Sequence, residues 1–362
     1  MTTLLLNPGP VVLSERVRKA LLKPDLCHRE QEFIDLQNKI RTELLNVYNL
    51  SVKDWASIVF TGSGTSAMEA MMTSLIPAHG KVLIIENGVY GERLTKIAQI
   101  HDIAHVVAHH EWGDEIDLVK IEGELQYHKE ISHVAVVHHE TTTGRLNDID
   151  AIAELCNKHG NIPLLLDAVS SFGAEEIKFE GWNIAACAAT ANKCLHAVPG
   201  TSFVIANRTA MKQMSATPSR TLYLDLVTYL KNQDANGTPF TQSVHTFYAL
   251  AEALDELNDA GGWKKRQQLY WQRMDIVRDG LQQLNINACL EREQCSCVLN
   301  SFPLPEGISY ETLHDKLKTA GFVIYAGQGD FAKSRFRISC MGEMSNSDME
   351  RLIKEIGKIF NP

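Results

Sequence analysis

Three short segments carry side chains that could act together. Thr61-Gly62-Ser63-Gly64-Thr65-Ser66 follows an apolar run and leads into Ala67-Met68-Glu69, where helical spacing begins. A turn of this kind offers backbone N–H groups and the positive end of a helix to an anion. Its glycines allow close approach, and Ser63 and Thr65 add hydroxyl donors. No Gly-Lys-Ser/Thr follows and no G-x-G-x-x-G is present, so a nucleotide is not implied. A well-capped strand-to-helix turn accounts for this segment equally well. The second segment is Leu164-Leu165-Leu166-Asp167, an apolar run that ends on a carboxylate. Ligands of open α/β sheets gather outside the carboxyl ends of the strands, although a capping role is common for such an aspartate. The third is Ala189-Thr190-Ala191-Asn192-Lys193-Cys194, with Pro199-Gly200 turning the chain soon afterwards. Held at the end of a buried strand, a lysine loses basicity and becomes a usable nucleophile. A solvated strand-end lysine is the plainer alternative.

Together the segments are more specific than any one alone. An anion cradle, an aspartate and a lysine at strand ends, the last two 193 − 167 = 26 positions apart, are the parts that pyridoxal 5′-phosphate (PLP) requires. The cradle would take the phosphate, Asp167 the pyridinium nitrogen, and Lys193 the aldehyde as a Schiff base.

The elements that must position these groups are visible as alternating patterns. Apolar runs at Ser57–Phe60, Lys81–Ile85, His133–His138, Pro163–Asp167, Ile184–Ala189 and Ser202–Ala206 read as strands. Between them Ser66–Ser74, Glu92–His101 and Asp148–His159 show helical spacing, which predicts βα units and a mostly parallel sheet. Beyond residue 206 a polar connection through Asn232–Gly237 precedes one long helical stretch from about Phe247 to Leu284. The remainder has short strands at Cys295–Ser301, Phe322–Tyr325 and Arg335–Cys340 and helices at Tyr310–Thr319 and Ser347–Ile359. The fold class expected is therefore α/β: a large domain with a mostly parallel sheet flanked by helices, plus a small C-terminal α+β domain. The division expected is 1–20 as an N-terminal segment contributing to the small domain or a dimer contact, 21–265 as the large domain and 266–362 as the small one.

A chain of 362 residues has ample material for this arrangement. Its 35 Lys+Arg and 44 Asp+Glu give a net charge of −9 with no basic run, which argues against nucleic acid as a partner. The first apolar stretch is broken by Pro8, Gly9 and Pro10, too early for a signal or a membrane span, so a cytoplasmic protein is expected. Eight cysteines lack paired CxxC spacing, and Cys295-Ser296-Cys297 is a weak ligand pair, so no metal is expected.

Over nearly its whole length the sequence resembles the class V aminotransferases of PLP fold type I. The likeness is carried by Asn7-Pro8-Gly9-Pro10, Gly62-Ser63-Gly64-Thr65, Asn87-Gly88-Val89-Tyr90-Gly91, His139-Glu140-Thr141-Thr142-Thr143-Gly144, Asp167-Ala168-Val169-Ser170-Ser171-Phe172-Gly173 and Ala191-Asn192-Lys193. The His139–Gly144 and Asp167–Gly173 motifs, Thr190-Ala191-Asn192-Lys193-Cys194 and the C-terminal Phe336-Arg337-Ile338 with Gly342-Glu343 narrow the resemblance toward members whose donor is 2-aminoethylphosphonate and whose acceptor is pyruvate. Members of the alanine–glyoxylate or serine–pyruvate type are the alternative, and a non-catalytic PLP-fold binding protein is the alternative of another class. The resemblance implies Lys193 and Asp167 as catalytic groups. It further implies that Ser63, Gly64 and Thr65 bind the cofactor phosphate and that Tyr90 stacks on the ring. The Thr141–Thr143 run, preferably Thr143, would bond the ring hydroxyl. Thr241 would reach the phosphate across the interface of a homodimer. Arg337 would grip a keto-acid carboxylate with its two-pronged guanidinium. Arg29 is a candidate for substrate binding, with a surface ion pair as its plain alternative.

Overall fold

The computed structural model describes residues 3–360. Met1, Thr2, Asn361 and Pro362, the outermost residues of the expected N-terminal segment and C-terminal domain, lie outside the described residues. Seven strands form the central sheet: β1 (Trp55–Gly62), β2 (Lys81–Glu86), β3 (His105–His109), β4 (Ile131–Val137), β5 (Leu164–Asp167), β6 (Ile184–Thr190) and β7 (Gly200–Asn207). Their order is β1-β7-β6-β5-β4-β2-β3. Only β7 runs antiparallel to its neighbours, between β1 and β6. The other pairings, β3 to β2 to β4 to β5 to β6, are parallel.

Alternate residues of each strand point to opposite faces, and here both faces are covered. Val59, Leu83, Val134, Leu166, Cys187 and Phe203 pack on one side against Phe33, Ile40 and Leu44 of α1 (Gln31–Asn46). Phe60, Ile84, Ala135, Leu165 and Ala188 pack on the other, against Met68, Met71 and Met72 of α2 (Gly64–Leu75) and Leu94 and Ile97 of α3 (Val89–Ile100). This double burial explains why β5 and β6 are apolar throughout rather than alternating.

Beyond the sheet the chain forms α4 (Val244–Asp259) and α5 (Gly262–Gln283). The continuous helix anticipated from Phe247 to Leu284 is in fact broken between them. Ala260-Gly261-Gly262 does this, with Gly261 at φ +91, a conformation that ends a helix. The polar connection before α4 likewise contains helices, Arg208–Met214 and Leu226–Asp234. The C-terminal part is a three-stranded antiparallel sheet of β8 (Leu299–Pro303), β9 (Tyr325–Ala326) and β10 (Arg335–Ser339), in the order β8-β10-β9, backed by Tyr310–Thr319 and α6 (Asn346–Phe360). The strand anticipated at Cys295–Ser301 begins only at Leu299. Ahead of it Ser296 and Cys297 turn their amides to Gly144 and Glu175 instead of a neighbouring strand. Leu4–Leu5 pairs in parallel with Phe322–Val323, so the start of the chain is stitched to its C-terminal part.

Candidate active site

Asp167 closes β5 and lies in the interior, 2% exposed. One carboxylate oxygen accepts from the Val169 amide at 2.9 Å, and the other has no hydrogen-bond partner among the described residues. Burial pushes its pKa up to about 6, opposed by the Val169 amide and by the charges of Arg93 and Lys193. A buried carboxylate oxygen left empty is costly and points to an absent donor.

Lys193 lies in the turn that follows β6, at the same edge of the sheet. Burial draws its pKa down to about 8, with Arg337 and Arg93 acting in the same direction and Cys194 and Asp167 against. Its amine donates to the Pro8 carbonyl. The Asn7-Pro8-Gly9-Pro10 segment thus lies directly on the lysine. A Cβ on Gly9 would stand 2.8 Å from Lys193 Cδ, and Gly9 has φ +105, so only glycine fits there.

At the end of β1, Ser63 is the N-cap of α2 but makes no side-chain cap bond, which leaves its hydroxyl available. The first amides of α2 have no acceptor within the helix. Gly64 is pressed against the loop after β5, where a Cβ would meet Val169 Cγ1 at 2.7 Å. The cradle, Asp167 and Lys193 are therefore brought to one edge by tight contacts.

Tyr90 sits in the first turn of α3, whose start is pinned by Glu140. The Glu140 carboxylate accepts from the amides of Tyr90 (3.2 Å), Gly91 (3.4 Å) and Thr142 (3.1 Å) and from the Thr142 hydroxyl (2.6 Å). Burial raises its pKa to about 7. Among the described residues the buried hydroxyls of Thr141 and Thr143 have no hydrogen-bond partner, nor has Nε2 of His139. His139 is held through Nδ1 to the Ser170 carbonyl at 3.0 Å, and burial lowers its pKa to about 4.

Arg337, in β10, is 5% exposed. Its Nε donates to the Ala326 carbonyl at 2.9 Å, and Nη1 donates to the Thr141 carbonyl at 2.8 Å and to Gln328 Oε1 at 3.3 Å. Nη2 is left for something else. The guanidinium has no carboxylate partner among the described residues, an expensive arrangement unless an anion completes it.

Two sequence candidates are not brought into this cluster. Thr241 is exposed in the loop before α4 and makes no side-chain hydrogen bond among the described residues. Its neighbour Gln242 instead grips the Thr61 amide at 2.9 Å, which fixes the loop beside the end of β1. Arg29 is exposed ahead of α1 and makes no side-chain hydrogen bond or ion pair among the described residues. Conversely, Arg93, Glu140 and Gln328 belong to the cluster and were not singled out from the sequence. Arg93 was findable, three positions after Tyr90 on one helical face. Gln328 gives no local signal.

The unpartnered Asp167 oxygen, the two buried threonine hydroxyls, the open helix end and the low-pKa lysine suit the ring nitrogen, hydroxyl, phosphate and aldehyde of PLP. The fold and this donor set define a fold type I PLP enzyme, and the Aminotransferase class-V family profile matches residues 18–352. The chain belongs to the class V aminotransferases and is a PLP-dependent aminotransferase. It is 34% identical over 358 residues to the 2-aminoethylphosphonate–pyruvate transaminase of Bacillus cereus (strain G9842), which spans 98% of this chain and 97% of that protein. The enzyme of that name from Bacillus anthracis matches at 34% over 359 residues. Among solved structures, an aspartate aminotransferase of Thermus thermophilus superposes with TM-score 0.89 at 26% identity, covering 99% of both chains. Pyridoxamine–pyruvate aminotransferase of Mesorhizobium loti superposes with TM-score 0.91 at 25% identity, covering 100% of this chain and 93% of that one. No helix of the described residues is long and apolar enough to cross a membrane.

Proposed function

We propose that the enzyme moves the amino group of 2-aminoethylphosphonate to pyruvate, giving phosphonoacetaldehyde and L-alanine. The observation that carries this reading is the 34% identity, sustained over 98% of the chain, to transaminases of that specificity. The site chemistry is compatible with it. Arg337 keeps Nη2 open, and a planar guanidinium suits both the carboxylate of pyruvate and the phosphonate of the donor, which take turns in one site.

Lys193 would hold the cofactor through its side-chain amine. With a pKa near 8 that amine is suited to take a proton from the carbon bearing nitrogen and later to return one. PLP, when bound, supplies an electron sink for that carbon. Asp167 would keep the ring nitrogen protonated through its unpartnered oxygen. Ser63, Gly64 and Thr65 would hold the phosphate, Tyr90 would support the ring, and Thr143, with Thr141 beside it, would bond the ring hydroxyl. Thr241, whose side chain is exposed, would serve the site of a second copy in a homodimer. Cys340 has no part in the chemistry, because burial pushes its thiol up to about 12, far from a reactive thiolate.

The test is pyruvate-dependent release of phosphonoacetaldehyde from 2-aminoethylphosphonate, with alanine, serine and other α-amino acids run in parallel. Turnover of the phosphonate ahead of the amino acids is the expected result. Turnover of serine or of alanine with glyoxylate, and none of the phosphonate, would overturn the reading in favour of the alanine–glyoxylate or serine–pyruvate type.

A further inference from the structure

We propose that Arg93 supplies the positive charge that holds the cofactor phosphate, working with the Ser63–Thr65 turn from the facing helix. The inference rests on assigning that turn to the phosphate. Arg93 lies on α3 one turn beyond Tyr90, and its guanidinium is 4.6 Å from the centre of the Tyr90 ring. Nη1 donates to the Thr65 hydroxyl at 3.1 Å, and this is the single hydrogen bond of the group among the described residues. It enters no ion pair there either. A guanidinium has five donors in a fixed fork, so most of its capacity remains unused beside the cradle.

Charge explains why such a group is required. A phosphate monoester carries between about one and a half and two negative charges at neutral pH, whereas a helix end offers the equivalent of about half a positive charge. Ser63, Thr65 and the first amides of α2 are neutral donors. Among the described residues no lysine or other arginine hydrogen-bonds to the turn. The Arg93 charge also lowers the pKa of both Asp167 and Lys193, so it stands close to the groups that receive the ring and aldehyde. The cation–π contact with Tyr90 helps to hold the guanidinium beside Thr65.

A tether between α3 and α2 would use the same Thr65 contact, and cofactor binding separates the two roles. Apoenzyme is titrated with PLP and, separately, with pyridoxal, which lacks the phosphate, following the absorbance of the lysine-bound species with no amino donor present. Arg93→Gln is expected to weaken PLP binding by about tenfold to a hundredfold, the effect of one charge-assisted hydrogen bond, while pyridoxal binding stays within about twofold of wild type. Arg93→Lys should fall between wild type and Arg93→Gln for PLP. Inorganic phosphate should compete with PLP in the wild type and far less in Arg93→Gln. Equal weakening of PLP and pyridoxal would mark a structural tether and overturn the proposal. So would unchanged PLP affinity with a raised KM for 2-aminoethylphosphonate, which would move Arg93 to the substrate. Ser63→Ala serves as the reference for the turn. If it weakens PLP selectively and Arg93→Gln does not, the turn keeps the phosphate and Arg93 is excluded. Because no donor is used, failure of the substrate assignment leaves this measurement intact.

Discussion

The low pKa of Lys193 makes cofactor capture by the apoenzyme a titration with a computable effect. PLP reacts with the neutral amine. At pH 7 an amine of pKa 10.5 is neutral in about one molecule in three thousand, whereas at a pKa of about 8 the fraction is about one in ten. The site therefore presents on the order of three hundred times more reactive amine than a solvated lysine, equivalent to about 3 kcal/mol. The cost is borne by the fold. A lysine whose folded pKa is depressed penalises the native state below pH 8, and the penalty is relieved as pH rises from about 8 to 10.5. Rapid-mixing measurements of PLP capture across pH 6 to 10 should give a rate that climbs with an inflection near 8. Asp167 raises the lysine pKa through its charge, so Asp167→Asn should move the inflection to lower pH. The variant should also bind PLP yet lose most of its transamination rate, since the unpartnered oxygen is replaced by a group that cannot hold a pyridinium proton. A wild-type rate that climbs without inflection up to pH 10 would refute the claim that burial tunes this lysine. An inflection unmoved in Asp167→Asn would refute the coupling between the two groups.

Three further outcomes follow from particular contacts. Arg337→Lys loses the fork geometry, and the KM for pyruvate should rise by about tenfold or more while the spectrum of bound PLP is unchanged, as steady-state kinetics and absorbance will show. Gly9→Ala places a methyl 2.8 Å from Lys193 Cδ at φ +105, and it should cost about 1–3 kcal/mol in denaturant unfolding and slow PLP capture. Glu140 has a folded pKa of about 7 against 4.5, so it binds a proton in the native state that the unfolded chain releases, and stability falls as pH rises from about 4.5 to 7. Glu140→Gln should flatten that fall by about 3 kcal/mol in unfolding measured over this range, and an unchanged pH slope would show that Glu140 titrates normally.

Much of the fold was legible because the sheet is covered on both faces. Leu164–Asp167 and Ile184–Thr190 are uninterrupted apolar or small-residue strands, and such runs stand out without any periodicity. β3 was missed for the opposite reason: at the sheet edge, partly open to solvent, His105 and His109 bracket an apolar core of three residues. α1 was missed because its inner stripe is interrupted by Gln37, whose burial is satisfied by the Gly237 carbonyl two hundred positions away. In the site, Lys193 and Asp167 announce themselves by ending apolar strands. Glu140 does not, since its task depends on amides of Tyr90 and Gly91 that only folding brings to it. The environment of Arg337 is equally non-local, with acceptors from Thr141 and Ala326.

One buried carboxylate outside the site ties these parts together. Glu175, eight positions past Asp167 and 2% exposed, accepts from the Ser296 hydroxyl at 2.6 Å, the Cys297 amide at 2.9 Å and the Gln267 side chain at 2.7 Å. It joins the loop below β5 to α5 and to the approach to β8, whose partner strand carries Arg337. The C-terminal part cannot swing away from the sheet without stripping a buried carboxylate of its donors, which is expensive. Coupled in this way, the two halves are expected to melt in one calorimetric transition that a ligand bound to either half raises, and two separate transitions would show that Glu175 does not join them.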